Sequence, residues 1–231
     1  MIERILITGA SGDIGRAIAT RLAAPGRELL LHGRDQNALA EVAGAVRGRG
    51  AAARGCPADL ADQSQVRGLI GEIGDAPLDV LVNAAGTAVV KPVEEIGLDE
   101  WLESLAVTVT APFLLVQGVL PRLRTGASVV NVLSIAARRG FPNWSAYCAA
   151  KFALEGFALS LREELRPRGV RVINVYPAAT DTALWNGVSG EWDRRRMLEP
   201  AEVAEAIAYA LERPAGVLVE TVEVGDIAGP L

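Results

Sequence analysis

The sequence predicts a doubly wound α/β fold, a parallel sheet of about seven strands with helices on both faces. Three observations predict it. Short apolar runs alternate with helix-period patterns along all 231 residues, the signature of βαβ crossovers. The strand-like runs are continuously apolar, as expected where helices cover both faces of a sheet. A glycine-rich turn joins the first run to the first helical pattern, where an open α/β sheet holds its ligand. No Pro/Ser-rich linker and no repeat divides the chain, so one domain over residues 1–231 is expected.

Each element follows from its own residues. Ile2–Thr8 is apolar and β-branched, strand one. Gly9–Gly15 is the turn. Ile14, Ile18, Ala19 and Leu22 then recur at helical spacing until Pro25-Gly26 stops the helix. Glu28–His32 is strand two. Asp35–Val46 is a helix with Leu39, Val42 and Val46 on one face. Ala51–Cys56 is a weak third strand, and Asp62–Ile73 a helix opening on an Asp62 cap. Leu78–Val82 is strand four, Leu98–Leu123 one long helix, and Ser128–Leu133 strand five. Trp144–Leu165 is a helix, Val170–Val175 strand six, Pro200–Leu211 a helix and Val217–Val224 the last strand.

Composition excludes several function classes. Net charge is −5, and no basic cluster exceeds Arg194-Arg195-Arg196, which argues against a nucleic-acid surface. Two cysteines, Cys56 and Cys148, are too few for a disulfide framework, and a reducing cytoplasm fits. Residues 1–7 run straight into a strand, so no signal peptide is expected. No apolar run reaches about 18 residues, so neither a transmembrane helix nor a membrane partner is expected. The single histidine, His32, leaves no material for multi-histidine zinc sites or Ser-His-Asp triads. It ends an apolar run and reads as structural.

Chemistry concentrates at Tyr147 and Lys151, four residues apart within Ser145–Lys151. On a helix that spacing stacks the two side chains on one face. A phenol beside an ammonium is a usable proton donor, because positive charge favours phenolate. The competing reading is a surface helix that happens to carry both. Only two of the 23 basic residues are lysines, Lys91 and Lys151, which makes the spacing harder to dismiss. The turn Thr8–Gly15 has glycines that let the backbone approach a pyrophosphate at the positive end of a helix. An ordinary turn without ligand is the alternative. No Lys-Ser/Thr follows, so it is not a Walker loop, and it is not a G-x-S-x-G elbow.

Together these motifs resemble the short-chain dehydrogenase/reductase family over essentially the whole chain, with an NADP(H)-preferring carbonyl reductase pattern. The resemblance implies a Rossmann fold. The family loop is usually T-G-x-x-x-G-x-G. Gly9 and Gly15 match, Gly12 is shifted one place, and Asp13 stands where the middle glycine is usual. Ser11 and Ile14 complete the implied cofactor turn. Asp13 is a candidate helix cap, and it brings a carboxylate near the phosphates unless it points away. At the end of strand two, Gly33 occupies the usual acidic position and Arg34 follows. An Arg there suits a 2′-phosphate, so NADP(H) is expected, with NAD(H) as the alternative. The competing reading has Arg34 solvated while Asp35 caps the next helix. Asp59-Leu60 resembles the adenine contact. Asn83-Ala84-Ala85-Gly86 resembles Asn-Asn-Ala-Gly, with Ala84 replacing the second Asn.

Ser134 precedes Tyr147 by 13 residues, the family spacing. The resemblance implies that Ser134 hydrogen-bonds the substrate carbonyl and that Tyr147 transfers the proton. It implies that Lys151 lowers the Tyr147 pKa and holds the nicotinamide ribose. Thr108 stands where the family has a relay Asn, either replacing it or packing inertly. Pro177, Thr180 and Thr182 resemble the segment that contacts the nicotinamide, with Ala178 replacing glycine. Residues 183–197 are expected to cover the substrate, with Trp185 and Trp192 as an apolar wall. Arg194–Arg196 offer either an anion contact or a solvated helix start. The family also implies a homo-oligomer, dimer or tetramer, through the helices Leu98–Leu123 and Trp144–Leu165. The expected activity is hydride transfer between NADP(H) and a carbonyl or secondary alcohol. The alternative is a dinucleotide-binding sensor with little catalysis, motivated by Asp13, Ala84 and Thr108. An acyl-carrier-protein substrate finds no clear docking patch.

Overall fold

In the computed structural model, which describes residues 3–188, 192–214 and 216–229, the first strand shows how the sheet is built. β1 (Glu3–Thr8) sends Ile5 and Ile7 into one buried cluster and Leu6 into another. That is the period of two a strand imposes, and with both faces apolar it demands helices on both. Next come α1 (Asp13–Leu22), β2 (Arg27–Gly33), α2 (Gln36–Arg47), β3 (Ala52–Pro57), α3 (Gln63–Ile73) and β4 (Leu78–Asn83). After these follow α4 (Leu98–Leu105), α5 (Ala111–Val119), β5 (Leu123–Val132), α6 (Ser145–Leu165), β6 (Arg171–Pro177), α7 (Pro200–Leu211) and β7 (Thr221–Val224). The sheet is parallel throughout, in the order β3-β2-β1-β4-β5-β6-β7. α1, α2 and α7 cover the first cluster, and α3, α5 and α6 the second. Each fully buried Leu or Ile contributes ~1.5–3 kcal/mol.

Two predicted caps form. Asp35 accepts from the Asn37 and Ala38 amides, and Asp62 from those of Ser64 and Gln65. Other boundaries move. The expected helix Leu98–Leu123 runs through Arg122 but is not one regular helix. It widens into a π turn over Ala106–Thr110, where the Ala111 amide reaches back to the Ala106 carbonyl. Pro112 explains this, because it has no N–H for the carbonyl four residues back. Leu123 instead pairs with Leu78, so β5 starts five residues before the expected Ser128. β7 is shorter than expected, starting at Thr221. Ile2, expected in strand one, lies outside the described residues. By length and mean hydropathy (1.6), helix Leu98–Arg122 passes for a membrane span. The uninterrupted-run criterion overlooks it because Asp99, Glu100 and Glu103 sit at its start. In the fold its Val107, Ala111, Leu115, Val116 and Val119 are buried against the sheet.

Three polar residues cross this apolar interior. Asn83, Asn131 and Asn174 are in register on β4, β5 and β6. Asn83 Nδ2 donates to Asn131 Oδ1 (3.0 Å), and Asn131 Nδ2 to Asn174 Oδ1 (3.1 Å). Asn174 Nδ2 donates to the Tyr176 hydroxyl (3.3 Å), which donates to Glu155 Oε1 (2.8 Å). Buried amides need such partners.

Candidate active site

Strand order reverses between β1 and β4, and two clefts open beyond the carboxyl ends of the strands there, as open α/β sheets provide.

The first cleft, of about 220 Å³, is lined mainly by backbone and small residues. Gly9 adopts φ +68°, and a Cβ on it would meet Ala85 Cα at 2.8 Å. A Cβ on Gly15 would lie 2.1 Å from the Gly9 carbonyl, so α1 starts directly against its own turn. Gly33 plays the matching part on β2, where a Cβ would reach 2.4 Å from Ser11 Oγ. Thr8 Oγ1 donates to the Val82 carbonyl and accepts from the Ala84 and Ala85 amides, tying the ends of β1 and β4 together. His32 is structural, as read. Its Nδ1 accepts from the Gly9 amide (3.3 Å) and its Nε2 donates to the Ala58 carbonyl (3.0 Å). Burial lowers its pKa. The cleft gathers Gly9, Ser11, Gly12, Arg34, Asp59, Leu60, Ala84, Ala85 and Gly86 from the predicted set. Arg34 is exposed on its wall and makes no ion pair among the described residues. Asp59 Oδ1 accepts from the Ala61 amide. Thr87 and Val107 also line it, and no motif signalled them.

Two predicted contacts are arranged differently. The Asn83 side chain is buried in the asparagine ladder and does not line the cleft. Asp13 does not cap α1. Gly12 is the N-cap, and Asp13 Oδ2 instead accepts from the Ala183 amide at 2.7 Å. The carboxylate therefore joins the glycine turn to the segment after β6, 170 residues away.

The second cleft, of about 380 Å³, is lined by Ile14, Ser134, Tyr147, Pro177, Thr180, Thr182 and Trp185 from the predicted set. Trp192, expected beside Trp185 in an apolar wall, lines it as well, and Phe141, Trp144 and Leu184 complete much of the rest. Trp144 was legible only as the residue where the Tyr147 helix starts. The segment over the cleft is anchored at its base. Asp181 N donates to the Leu198 carbonyl, and Leu198 N to that of Ala179. Arg194 is engaged within this segment, with Asp181 Oδ1 at 2.6 Å, the Thr182 carbonyl at 2.6 Å and Asn186 Oδ1 at 2.9 Å. Residues 189–191 of the expected cover lie outside the described residues.

Lys151 lies behind these walls. It is 5% exposed, and its Nζ donates to the Val132 carbonyl at 2.8 Å. A Cβ on Gly86 would lie 3.7 Å from that nitrogen. Burial lowers the Lys151 pKa to about 8. Burial also pushes the Tyr147 phenol up to about 12, against a hydrogen bond from Ser134 that lowers it. The expected depression of the phenol by Lys151 is therefore absent. The ammonium is turned to Val132 and lies 5.6 Å from the centroid of the Tyr147 ring, while desolvation dominates both groups. Thr108 sits in the π turn, and its buried hydroxyl has no partner among the described residues. No cluster of metal-ligating side chains occurs among the described residues.

Residues 3–192 match the short chain dehydrogenase family. D-threitol dehydrogenase of Mycolicibacterium smegmatis is 34% identical over 220 residues, covering 88% of this chain and 84% of that protein. The alcohol dehydrogenase of the archaeon Thermococcus sibiricus, complexed with 5-hydroxy-NADP, superposes with a TM-score of 0.90. It is 27% identical, over 100% of this chain and 99% of its own. The angucycline C-6 ketoreductase LanV with bound NADP superposes with a TM-score of 0.86 and is 30% identical, over 96% of this chain and 93% of its own.

Proposed function

This chain belongs to the short chain dehydrogenase family, and from that premise we propose that it interconverts a ketone and a secondary alcohol using NADP(H). The observation that carries this is that Ser134 and Tyr147 line the wall of one cleft, where burial raises the pKa of the phenol and Ser134 acts to lower it. The first cleft, with the glycine turn, adjoins it.

The first cleft suits a dinucleotide. A Cβ on Gly15 or Gly33 would collide with the turn and one on Gly9 with Ala85, which leaves backbone amides and the uncapped start of α1 for a pyrophosphate. Arg34, exposed beside Gly33, is the group we assign to a 2′-phosphate. The alcohol dehydrogenase and the ketoreductase above both carry NADP-type ligands. When bound, NADPH supplies the hydride that goes to the carbonyl carbon. Tyr147, kept neutral by a pKa near 12, gives its proton to the carbonyl oxygen. Ser134 donates a hydrogen bond to the same oxygen, and both stabilise the charge it gains. Lys151, beside Gly86, is assigned to the nicotinamide ribose and to restoring the Tyr147 proton. Pro177, Thr180 and Thr182 are assigned to the nicotinamide amide.

The sensor alternative drew on Asp13 as a charge facing the phosphates, and its bond to Ala183 weakens that motive. Reduced-nicotinamide oxidation against a panel of ketones tests the reading. NADPH outperforming NADH supports it, and binding without turnover on every ketone favours the sensor.

We also infer a cytoplasmic homo-oligomer. Cys56 and Cys148 are both unpaired and buried, in keeping with a reducing compartment. Leu98, Leu102, Phe113, Phe152 and Leu159 are exposed on α4, α5 and α6, the helices expected to join subunits. Light scattering of the purified protein reads the assembly directly; a monomer contradicts it.

A further inference from the structure

The second cleft carries more aromatic surface than the proton transfer uses. Trp144 meets the Tyr147 ring edge to face, with centroids 5.4 Å apart. Trp185 lies 5.7 Å beyond Trp144, and Trp192 lies 4.9 Å beyond Trp185. The rings therefore form a row that starts at the proton-donating phenol and runs along the cleft wall. The row is held in place. Trp185 Nε1 donates to the Thr180 carbonyl at 2.9 Å. The turn carrying Trp185 is anchored to the glycine turn through Asp13 and Ala183. Phe141 adds a further ring to the lining.

Charge gives an independent constraint. None of the described residues lining this cleft is charged. In the covering segment Arg194 is engaged by Asp181, Asn186 and Thr182, and Arg195 by Asp193, while Arg139 lies over the Phe141 ring. A carboxylate or phosphate on the substrate would lose water there without gaining a charged partner from the described lining. The volume of about 380 Å³ falls in the range of sites for ligands larger than a simple aldehyde.

We propose that this cleft selects an uncharged ketone whose carbonyl is borne on a flat aromatic ring system, gripped along Trp144, Trp185 and Trp192. The proposal rests on the ketone-reductase reading above and adds the substrate class. Hydride from NADPH goes to the aryl ketone carbon and the Tyr147 proton to its oxygen, giving an aryl secondary alcohol and NADP⁺. Stacked and edge-on ring contacts add attraction beyond area burial, and two such contacts correspond to roughly a tenfold preference over a saturated ring of equal size.

The test uses NADPH with a matched set: acetonaphthone, its fully saturated decalyl counterpart, and a carboxylated acetonaphthone. The expected kcat/KM for acetonaphthone exceeds that for the decalyl ketone by about tenfold, and the carboxylate lowers it. Trp185→Leu brings the aryl-to-saturated ratio close to one, whatever the absolute rates. Trp192→Leu reads the same ratio if the first variant does not fold. Dissociation constants for the same ketones, from tryptophan fluorescence of the NADPH complex, give a readout independent of turnover. Equal kcat/KM for aryl and saturated ketones overturns this proposal and leaves ketone reduction standing. Selective binding of the aryl ketone with no turnover supports the aryl selectivity of the cleft and overturns the reductase reading. Neither binding nor turnover overturns both.

Discussion

The two clefts share one edge of the sheet but are made from different parts of the amino acids. The first is shaped by missing side chains. Adding one carbon at Gly15 or Gly33 brings it to 2.1 or 2.4 Å of a neighbouring atom. The second is shaped by large side chains, a row of indoles beside one phenol. Backbone shape suits a ligand that varies little, whereas a wall of side chains sets which substrate enters. Asp13 and Ala183 join the two clefts directly, and Lys151 lies between them, against Gly86.

Substitutions can separate the clefts. The largest expected effect is at Tyr147. Tyr147→Phe removes the proton donor and lowers kcat by about 10²–10⁴-fold, while NADPH affinity, titrated by nucleotide fluorescence, stays near the wild-type value. Loss of both would show the clefts to be inseparable. Arg34→Ala acts on the other side. Losing a charge-assisted bond of about 1.5–3 kcal/mol raises the NADPH KM roughly 10- to 100-fold and leaves the NADH KM nearly unchanged. An equal effect on both nucleotides would remove Arg34 from the 2′-phosphate.

Lys151 gives a pH test with a definite sign. Its folded pKa is lowered from 10.5 to about 8, so between those values the unfolded chain binds more protons. The wild type therefore gains stability, relative to Lys151→Met, as pH rises from about 8 to 10. The gain is roughly 1–3 kcal/mol, read from urea midpoints. Tyr147, with its raised pKa, loses its contribution only as pH climbs toward 12 and stays silent in this window. A flat difference would mean that the buried amine is not desolvated as described. The smallest effect is at the link. Asp13→Ala removes the acceptor for the Ala183 amide, worth about 1 kcal/mol, and raises the ketone KM roughly fivefold. Asp13→Asn, which keeps an acceptor, recovers most of it.

The same contrast decides what could be read from the sequence. The alternation of β1 to β7 with helices was legible because each strand is apolar on both faces. The first cleft was legible because glycines at fixed offsets report a backbone shape. Trp185 and Trp192 were readable as an apolar wall, but the Trp144 contact was not, since only the fold brings the start of α6 beside Trp185. Asn83 was assigned to the cofactor because a motif names it. Only strand register, which pairs it with Asn131 and then Asn174, shows its amide turned into the sheet. The π turn escaped because helical periodicity continues across it, and Pro112 reads equally well as the first turn of a new helix. The acidity of Tyr147 was misjudged because spacing reports neighbours, while burial acts through everything around the ring.

The central claim is that Tyr147 drives hydride transfer from NADPH to a ketone in the second cleft. Single-turnover oxidation of bound NADPH by acetonaphthone, compared between wild type and Tyr147→Phe, tests it most directly. The account predicts prompt oxidation with formation of the naphthyl alcohol by the wild type, and none on that timescale by the variant. Equal rates for the two proteins, or no alcohol from the wild type, would contradict it.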